Sequence, residues 1–340
     1  MSQTQTTRVA IHGFGRVGRQ IFKTLWDLAP ANLEVAAIGL SRPEDAPAAA
    51  HLLKYDSNYG QWKPRVRHAG GALEVDGRSY RLVAADSLAG LPWAELGVDL
   101  VIDASGDNLN AQRAAGHLEA GARRVLLAAP SDDADLTIIY GVNEGAFDPA
   151  RHRLISTGSD TTNALAPVVR VLEDAFGLEN AMMTAVHAYT NEQKLIDAPD
   201  LDLRRARSAP TSIVPTTTRA ATAIAQVYPE MAGRLGGYAV RVPVAAVSIL
   251  QVTAHLTSPQ LPAAVNEAFR AAAAGPMGRV MTVSDAPLVS TDFRGCRHSA
   301  VIDLPTTIAI GPLVKVAAWY DNVTGYAARV VDTAAHVARA

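Results

Sequence analysis

Short apolar stretches alternate with helical patterns of apolar residues through the first half of the chain. Strands are predicted at Arg8–Ile11, Glu34–Ile38, 98–104, 123–128 and 136–142, and Ile155 closes the series. Helices are predicted from the end of the first strand to about Leu28 and over Ala111–Ala120. Alternating strands and helices are typical of a parallel sheet, because each crossover helix returns the chain to the same edge. We therefore predict an α/β fold with a doubly wound parallel sheet and a first domain over residues 1–158.

The second half of the chain has a different pattern, with long β-rich segments and few helices. These segments are Ala181–Tyr189, Gly237–Thr257, Arg279–Val283, Ser299–Ile310 and Leu313–Trp319. Helices are predicted over Thr161–Phe176, Leu261–Ala274 and about Tyr326–Arg339, and residues 191–219 form a long polar loop of the kind that is functional or lies at an interface. The pattern predicts a second, α+β domain over residues 159–324 with a mostly antiparallel sheet.

A glycine-rich turn directly follows the first strand and precedes the first helix. In that position the G-x-G-x-x-G spacing is the fingerprint of a dinucleotide site, because its glycines allow a tight turn, close approach of backbone to a pyrophosphate, and helix–strand packing. We assign cofactor binding to this turn and to two residues after the strand at 98–104: Gly13, Phe14, Gly15, Arg16, Val17, Gly18, Ser105 and Gly106.

The end of the second strand bears on the choice between NAD and NADP. An acid is expected there to accept hydrogen bonds from the adenosine ribose. The chain instead continues as Gly39-Leu40-Ser41-Arg42, and the guanidinium of Arg42 suits a 2′-phosphate. Glu44 or Asp45 reaches a ribose only if the loop folds back, so we expect Ser41 and Arg42 to bind the cofactor and NADP to be favoured over NAD.

The stretch Ile155–Pro167 leads from an apolar strand into the helix at Thr161–Phe176. Ser159, Asp160 and Thr161 therefore lie at a strand-to-helix turn, where backbone N–H groups and the helix dipole favour negative charge. Such a turn suits anion binding or chemistry, but Ser159 or Asp160 is equally able to serve as a helix N-cap. Taken alone, this stretch leaves both interpretations open.

Composition narrows the class of protein. With 340 residues and 49% hydrophobic residues, the chain can bury a large core in two domains. A net charge of −2 without a basic run argues against nucleic acid as a partner. The single Cys296 forms no internal disulfide, MSQTQTT lacks the features of a secretory signal, and no apolar run reaches membrane-spanning length. We expect a cytoplasmic protein without a membrane partner, and we assign no residue to a metal.

The ordered motifs of this chain resemble those of the glyceraldehyde-3-phosphate dehydrogenase family over nearly the whole length. They are HGFGRVGR (12–19), HLLKYDSNYG (51–60), YGVNEG (140–145), SDTTNALAP (159–167), HAYTNEQK (187–194), RVP (241–243) and WYDN..GY (319–326). The resemblance implies a Rossmann domain, a catalytic domain with subunit contacts, a C-terminal helix at 325–340 that packs back on the first domain, and a homotetramer in which residues 191–215 reach a neighbouring subunit.

Site residues follow from the resemblance position by position. His187 matches the acid/base histidine of the family, and Asn322 matches the residue that orients the nicotinamide carboxamide. Thr190 and Arg241 match the substrate-phosphate site, and Ser159, Thr161 and Thr218, beside Arg219, match the second phosphate site. The resemblance therefore implies a small phosphorylated or anionic substrate.

The main departure lies at position 160, where the family carries its nucleophilic cysteine and this chain carries Asp160. A carboxylate is a far weaker nucleophile than a thiolate, and its acyl product would be an anhydride in place of a thioester. Arg219 replaces a glycine, residues 244–246 replace polar residues, and Leu40 replaces the ribose acid. These differences argue against the standard phosphorylating reaction.

Two classes of function are compatible with these residues. An ionised Asp160 beside His187 suits proton transfer coupled to hydride transfer, either in carbonyl–alcohol interconversion or in oxidation of a hydrated aldehyde. The alternative is a catalytically silent homologue that binds a dinucleotide or phosphometabolite, with Asp160 as a cap only. Retention of His187, Thr190 and Asn322 favours the oxidoreductase. A deliberate replacement of the cysteine is a third explanation, and the coincident differences at 40, 219 and 244–246 favour natural divergence.

Overall fold

The computed structural model describes residues 6–106 and 110–339, which form two compact units. One unit takes the chain up to Ile138, the segment Glu144–Gly158 and the chain from Ala327 onward. The other takes Ile139–Asn143 and Ser159–Tyr326. Residues 1–5, 107–109 and 340, which the predicted first domain and C-terminal helix include, lie outside the described residues. The functional roles given to the two predicted domains stay predictions.

Within the described residues, nine strands of the first unit form one sheet in the order β10-β11-β9-β8-β1-β2-β7-β6-β5. The helices and strands of this unit are β1 (Thr7–His12), α1 (Arg16–Leu28), β2 (Leu33–Gly39), α2 (Ala46–Lys54), β3 (Tyr55–Asp56), β4 (Gly60–Gln61), β5 (Val66–Ala69), β6 (Ala72–Val75), β7 (Arg78–Val83), β8 (Leu100–Asp103), α3 (Ala111–Ala114), α4 (Gly116–Glu119), β9 (Arg124–Leu127), β10 (Leu136–Thr137) and β11 (Leu154–Ser156), and β3 pairs only with β4 among the described strands. Strands β10 to β7 pair in parallel, and the hairpins β7-β6 and β6-β5 are antiparallel. The predicted parallel sheet is confirmed.

Burial explains why the central strands were recognisable. All four residues of β8 and three of the four residues of β9 are buried, which gives the continuous apolar runs of strands covered on both faces. The short strands β5 to β7 are half-exposed and joined through Gly70, Gly71 and Gly77, each at positive φ. Their weak apolar pattern left the hairpins, and α2 before them, unpredicted.

Two predicted elements of the first half have different limits. The strand expected over 136–142 ends at Thr137, because the Asn143 carboxamide accepts a hydrogen bond from Ile139 N at 2.8 Å and turns the chain. The helix expected over Ala111–Ala120 divides into α3 and α4, with Gly116 at the start of the second. A Cβ at Gly116 would lie 2.9 Å from Leu88 Cβ, so close packing requires glycine there.

The second unit carries a sheet of eight described strands, with the order β13-β14-β12-β15-β19-β17-β16 and β18 paired to β19. Its elements are α5 (Asp160–Phe176), β12 (Leu178–Ala188), β13 (Val214–Thr216), α6 (Ala220–Val227), β14 (Leu235–Val242), β15 (Ser248–Leu256), α7 (Pro262–Ala274), β16 (Met281–Ser284), β17 (Ala300–Asp303), β18 (Ile308–Ile310), β19 (Leu313–Tyr320) and α8 (Thr324–Val337). Only β12–β14 and β16–β17 pair in parallel among these strands, so the predicted mostly antiparallel sheet is confirmed.

The predicted loop at 191–219 contains β13, and α6 follows it where no helix was predicted. The core of this unit is built on α5, whose buried residues pack with those of β12, β15 and β19. The later part of α8 belongs to the first unit, where Asn32 Nδ2 donates to Ala335 O at 2.8 Å. Among the described helices, none combines the length and the apolar character that crossing a membrane demands.

Candidate active site

The glycine-rich turn has the geometry that its spacing predicts. Gly13 lies at φ +84°, and a Cβ there would lie 2.3 Å from Ser105 Cα, so only glycine fits. A Cβ at Gly18 would lie 2.0 Å from Gly13 O, which explains how the start of α1 packs against the turn. Gly15 is the N-cap of α1, without a side-chain cap, and a Cβ there would meet no atom within 4 Å. The helix N-terminus therefore opens onto free space and suits an anionic group.

Other predicted residues surround this turn. Phe14 is buried with its ring 5.8 Å from that of Phe22, while Arg16 lies over the Tyr59 ring and 3.8 Å from an Asp56 carboxylate oxygen. Val17 belongs to the first turn of α1, and Gly106 lies at φ +76° directly after Ser105.

At the end of β2, Leu40 is buried and the residues after it are exposed. Arg42 donates to Asp45 at 2.9 Å and lies 3.7 Å from Glu44, with its side chain 67% exposed. The two acids that we considered as ribose ligands therefore pair with the guanidinium that we considered as a phosphate ligand.

In the second unit, Asp160 and His187 form a hydrogen-bonded pair. Asp160 Oδ2 lies 2.9 Å from His187 Nε2, and the side chains are 22% and 5% exposed. Residues His187 and Arg241 are register neighbours on β12 and β14, and Arg241 Nη1 contacts His187 Nδ1. The same Nδ1 lies 2.6 Å from Ala188 O. Asp160 is thus the more accessible member of the pair.

The partners of His187 determine where its ring carries a proton. A carboxylate only accepts hydrogen bonds, so Nε2 carries a proton whenever Asp160 is ionised. In the neutral ring, Nδ1 accepts from Arg241; a proton on Nδ1 would have Ala188 O as an acceptor but would also face the Arg241 N–H, which is a donor. The tautomer is assigned from these partners, with the Nε2–H directed at Asp160.

The start of α5 fixes the carboxylate of Asp160. Ser159 is the N-cap, and its Oγ accepts from Thr162 N at 3.0 Å, so the capping interpretation holds for Ser159. Thr161 N donates to Asp160 Oδ1 at 2.7 Å, and the Thr161 hydroxyl lies 3.1 Å from the buried Tyr320 OH. Burial raises the pKa of Asp160, but the charges of His187 and Arg241 and the hydrogen bonds outweigh it, and the net pKa is below its ordinary value. The carboxylate is therefore ionised at neutral pH.

The remaining predicted residues of this unit are placed as follows. Thr190 Oγ1 is buried without a hydrogen-bond partner among the described residues. Thr218 Oγ1 accepts from Ala220 N at 3.2 Å, and Arg219 is exposed at the N-terminus of α6. Asn322 Oδ1 accepts from Val247 N at 3.2 Å. No group of three or more His, Cys, Asp or Glu in the described part of the chain is placed to hold a metal ion.

Comparison with known proteins identifies the family. Residues 7–111 match the family model described as glyceraldehyde 3-phosphate dehydrogenase, NAD binding domain, and residues 159–322 match its C-terminal domain. The chain is 45% identical over 332 residues to glyceraldehyde-3-phosphate dehydrogenase of Geobacillus stearothermophilus, covering 97% of this chain and 98% of the relative. The chain belongs to the glyceraldehyde-3-phosphate dehydrogenase family. It is also 46% identical over 332 residues to glyceraldehyde-3-phosphate dehydrogenase 2 of Bacillus subtilis, covering 97% and 96% of the two chains.

The first unit therefore carries a Rossmann-like sheet that binds a nicotinamide dinucleotide. The glyceraldehyde-3-phosphate dehydrogenase family consists of oxidoreductases that act on an aldehyde. Two polar residues near these sites were not predicted from the sequence. Tyr320 stands inside the WYDN motif beside Asn322, and Asp103 ends β8 two residues before Ser105. The signal for Asp103 was its place at the carboxyl end of a central parallel strand, where ligands bind in such sheets.

Proposed function

We propose that this chain is an NAD(P)-dependent oxidoreductase that oxidises a small phosphorylated or otherwise anionic aldehyde without a thioester intermediate. The observation that carries the proposal is the hydrogen bond between Asp160 Oδ2 and His187 Nε2. By the resemblance of the SDTTNALAP motif, Asp160 stands where the family has its nucleophilic cysteine. A carboxylate is a poor nucleophile, but it can accept a proton from a substrate and it stabilises an imidazolium beside it.

The pair is suited to take a proton from a hydrated aldehyde. Asp160 is the more accessible member, so its carboxylate accepts the hydroxyl proton of the hydrate. His187 donates its Nε2–H to the same carboxylate and holds it in place. When bound, a nicotinamide dinucleotide supplies the acceptor for the hydride that leaves the same carbon. Loss of one proton and one hydride converts the hydrate into a carboxylic acid, and no phosphate is consumed. The other reaction that suits the pair, reduction of a carbonyl to an alcohol, would need a hydride from a reduced nicotinamide dinucleotide and a proton supplied by the same pair.

Two observations support an anionic substrate. Thr190 Oγ1 is buried without a hydrogen-bond partner among the described residues, and an unpaired buried hydroxyl is costly unless a ligand completes it. Arg241 contacts His187 and Ala188 through Nη1, and a guanidinium has five N–H donors in a planar fork that matches phosphate and carboxylate oxygens. Ser159, Thr161, Thr218 and Arg219 are proposed as a second anion site at the N-termini of α5 and α6.

For the cofactor, we propose binding at the Gly13–Gly18 turn, with Ser105, Gly106, Ser41, Arg42 and Asn322 as further ligands, and NADP favoured over NAD. The open space at Gly15 and the exposed Arg42 support this proposal. We further propose a cytoplasmic homotetramer. Large apolar side chains on the loop at 191–215 remain exposed in the single chain, namely Leu195, Ile196, Leu201, Leu203 and Ile213.

The test is an assay of the purified protein with glyceraldehyde 3-phosphate and NADP⁺ or NAD⁺, with and without inorganic phosphate. We expect nicotinamide reduction that does not depend on phosphate. Phosphate-dependent reduction would contradict the proposal, since it requires an acyl-enzyme that phosphate cleaves. Nucleotide binding without turnover on a panel of anionic aldehydes and alcohols would favour the catalytically silent binder instead.

A further inference from the structure

A buried carboxylate lies beneath the glycine-rich turn. Asp103, the last residue of β8, is 4% exposed, and its Oδ2 lies 3.4 Å from Nε2 of the fully buried His117 on α4. A buried carboxylate is costly unless donors surround it. No reaction step described above uses Asp103 or His117.

The other carboxylate oxygen holds the loop after β8. Asp103 Oδ1 accepts from Ser105 N at 3.0 Å and from Ser105 Oγ at 2.6 Å. Ser105 in turn packs against the glycine-rich turn, because a Cβ at Gly13 would lie 2.3 Å from Ser105 Cα. Asp103 therefore fixes the spacing between two loops at the carboxyl ends of the neighbouring strands β1 and β8.

Trp93 determines the tautomer of His117. Trp93 Nε1 donates to His117 Nδ1 at 3.0 Å, and an indole N–H is a donor only. Nδ1 therefore carries no proton, His117 is neutral, and its N–H is on Nε2, facing Asp103. Burial raises the pKa of Asp103, but the facing His117 and the hydrogen bonds from Ser105 outweigh it and hold the pKa below its ordinary value.

We propose that Asp103 is a positioning residue for the dinucleotide site: its carboxylate, faced by the Trp93–His117 pair, holds Ser105 against Gly13 in the geometry that binds the cofactor. This inference rests on the proposed function, since it presumes that the turn binds a nicotinamide dinucleotide. The carboxylate touches no reacting atom and acts through Ser105.

The hydrogen-bond donors around position 103 predict how substitutions there should act. In Asp103→Asn, the amide presents an NH₂ group either to the Ser105 N–H or to the His117 N–H, so two donors face each other in both orientations. Trp93→Phe removes the donor to Nδ1 and lets His117 adopt the other tautomer, whose Nε2 accepts from the amide. The second substitution should therefore restore what the first removes.

The experiment measures the affinity of the full chain for NAD⁺ and NADP⁺ by titration calorimetry. We expect D103N to lower the affinity for the tighter-binding dinucleotide about tenfold or more and W93F to change this affinity little. The double variant should recover most of the lost affinity, as in a double-mutant cycle. Asp99→Asn is the matched control, because Asp99 lies just before β8 and accepts from Arg8 N at 3.1 Å. Its affinity should equal that of the wild type.

A second pair of variants covers the case in which W93F does not fold. Ser105→Ala removes the hydroxyl that donates to Asp103 and should lower the affinity for the dinucleotide. Ser105→Thr keeps the hydroxyl and should bind the dinucleotide as the wild type does. Unchanged affinity in D103N, or a double variant that recovers thermal stability without affinity, would overturn the inference alone. A wild-type protein that binds neither dinucleotide would overturn the proposed function and the inference with it.

Discussion

Nε2 of His187 lies 2.9 Å from Oδ2 of Asp160 while its Nδ1 contacts Arg241, so both ring nitrogens are engaged inside the protein. A substrate reaches the imidazole only by displacing one of these groups. The carboxylate of Asp160, by contrast, keeps 22% of its side chain exposed. The proton-transferring group that meets the substrate is therefore expected to be the carboxylate, with the histidine behind it.

Removing either member of this pair tests that order. Asp160→Asn and His187→Asn should each lower kcat by about 10² to 10⁴, the usual contribution of a positioned acid–base group, and leave dinucleotide affinity unchanged. Steady-state kinetics and calorimetry separate the two effects. Asp174→Asn is the control, since Asp174 pairs with Arg170 near the other end of α5. A kcat in D160N equal to that of the wild type would exclude Asp160 from the reaction.

The pairing of Arg42 bears on cofactor choice. Arg42→Ala should lower the affinity for NADP⁺ by about tenfold and the affinity for NAD⁺ by much less, because a guanidinium–phosphate contact is lost only with NADP⁺. Asp45→Asn should raise the affinity for NADP⁺, since the Asp45 carboxylate lies 2.9 Å from the Arg42 guanidinium and competes with the 2′-phosphate for it. Titration of both dinucleotides measures each effect. Equal losses for the two dinucleotides in R42A would contradict the 2′-phosphate role.

The two glycines of the turn should respond differently to alanine. Gly15→Ala adds a Cβ that meets no protein atom within 4 Å at an ordinary φ of −69°, so it should preserve thermal stability while weakening dinucleotide binding about tenfold or more. Gly13→Ala should instead destabilise the protein, because its Cβ would overlap Ser105. Gly145→Ala, also in open space, is the control. Unchanged affinity in G15A would contradict close approach of the cofactor there.

His12 should make the first unit sensitive to acid. It is buried at the end of β1, and burial lowers its pKa from 6.5 to about 4 against the opposing charge of Asp103. Between these values the unfolded chain binds a proton that the folded chain does not, so stability falls as pH decreases from about 7 to about 4, by about 3 kcal/mol in all. The loss is complete below the folded pKa.

Urea unfolding followed by tryptophan fluorescence at pH 7.5 and pH 4.5 measures this loss. His12→Gln should flatten the dependence on pH, whereas His68→Gln, on the exposed face of β5, should leave it as in the wild type. The same slope in H12Q and the wild type would assign the sensitivity to other groups.

Much of the architecture was accessible from the sequence. The central strands of the first unit are continuous apolar runs, and the glycine spacing at 13–18 encodes a turn in which positions 13 and 18 have no room for a side chain. The hairpins β5 to β7 and helix α6 escaped prediction because half-exposed strands and a short helix carry little periodicity, and their formation depends on tertiary partners.

The site was only partly predictable. The resemblance to the family predicted Asp160 with His187 as a catalytic pair and Arg241 as a substrate-phosphate ligand. No sequence pattern gives the contact of Arg241 with the histidine, since it depends on the register of β12 against β14. The pairing of Arg42 with Asp45 depends on how the loop after β2 folds, which the sequence left open. Asp103 and Trp93 meet His117 only through the packing of α4.

Position 160 also determines how the protein meets oxidants. A nucleophilic thiolate passes through sulfenic and sulfinic acids when peroxide is present, and the later steps are irreversible. A carboxylate has no such ladder, and electrophiles that trap thiolates find no sulfur at the start of α5. The sulfur of the single cysteine, Cys296, lies near His298 in the segment before β17. Chemistry at Asp160 would therefore persist under oxidative conditions that inactivate an enzyme with a catalytic thiolate.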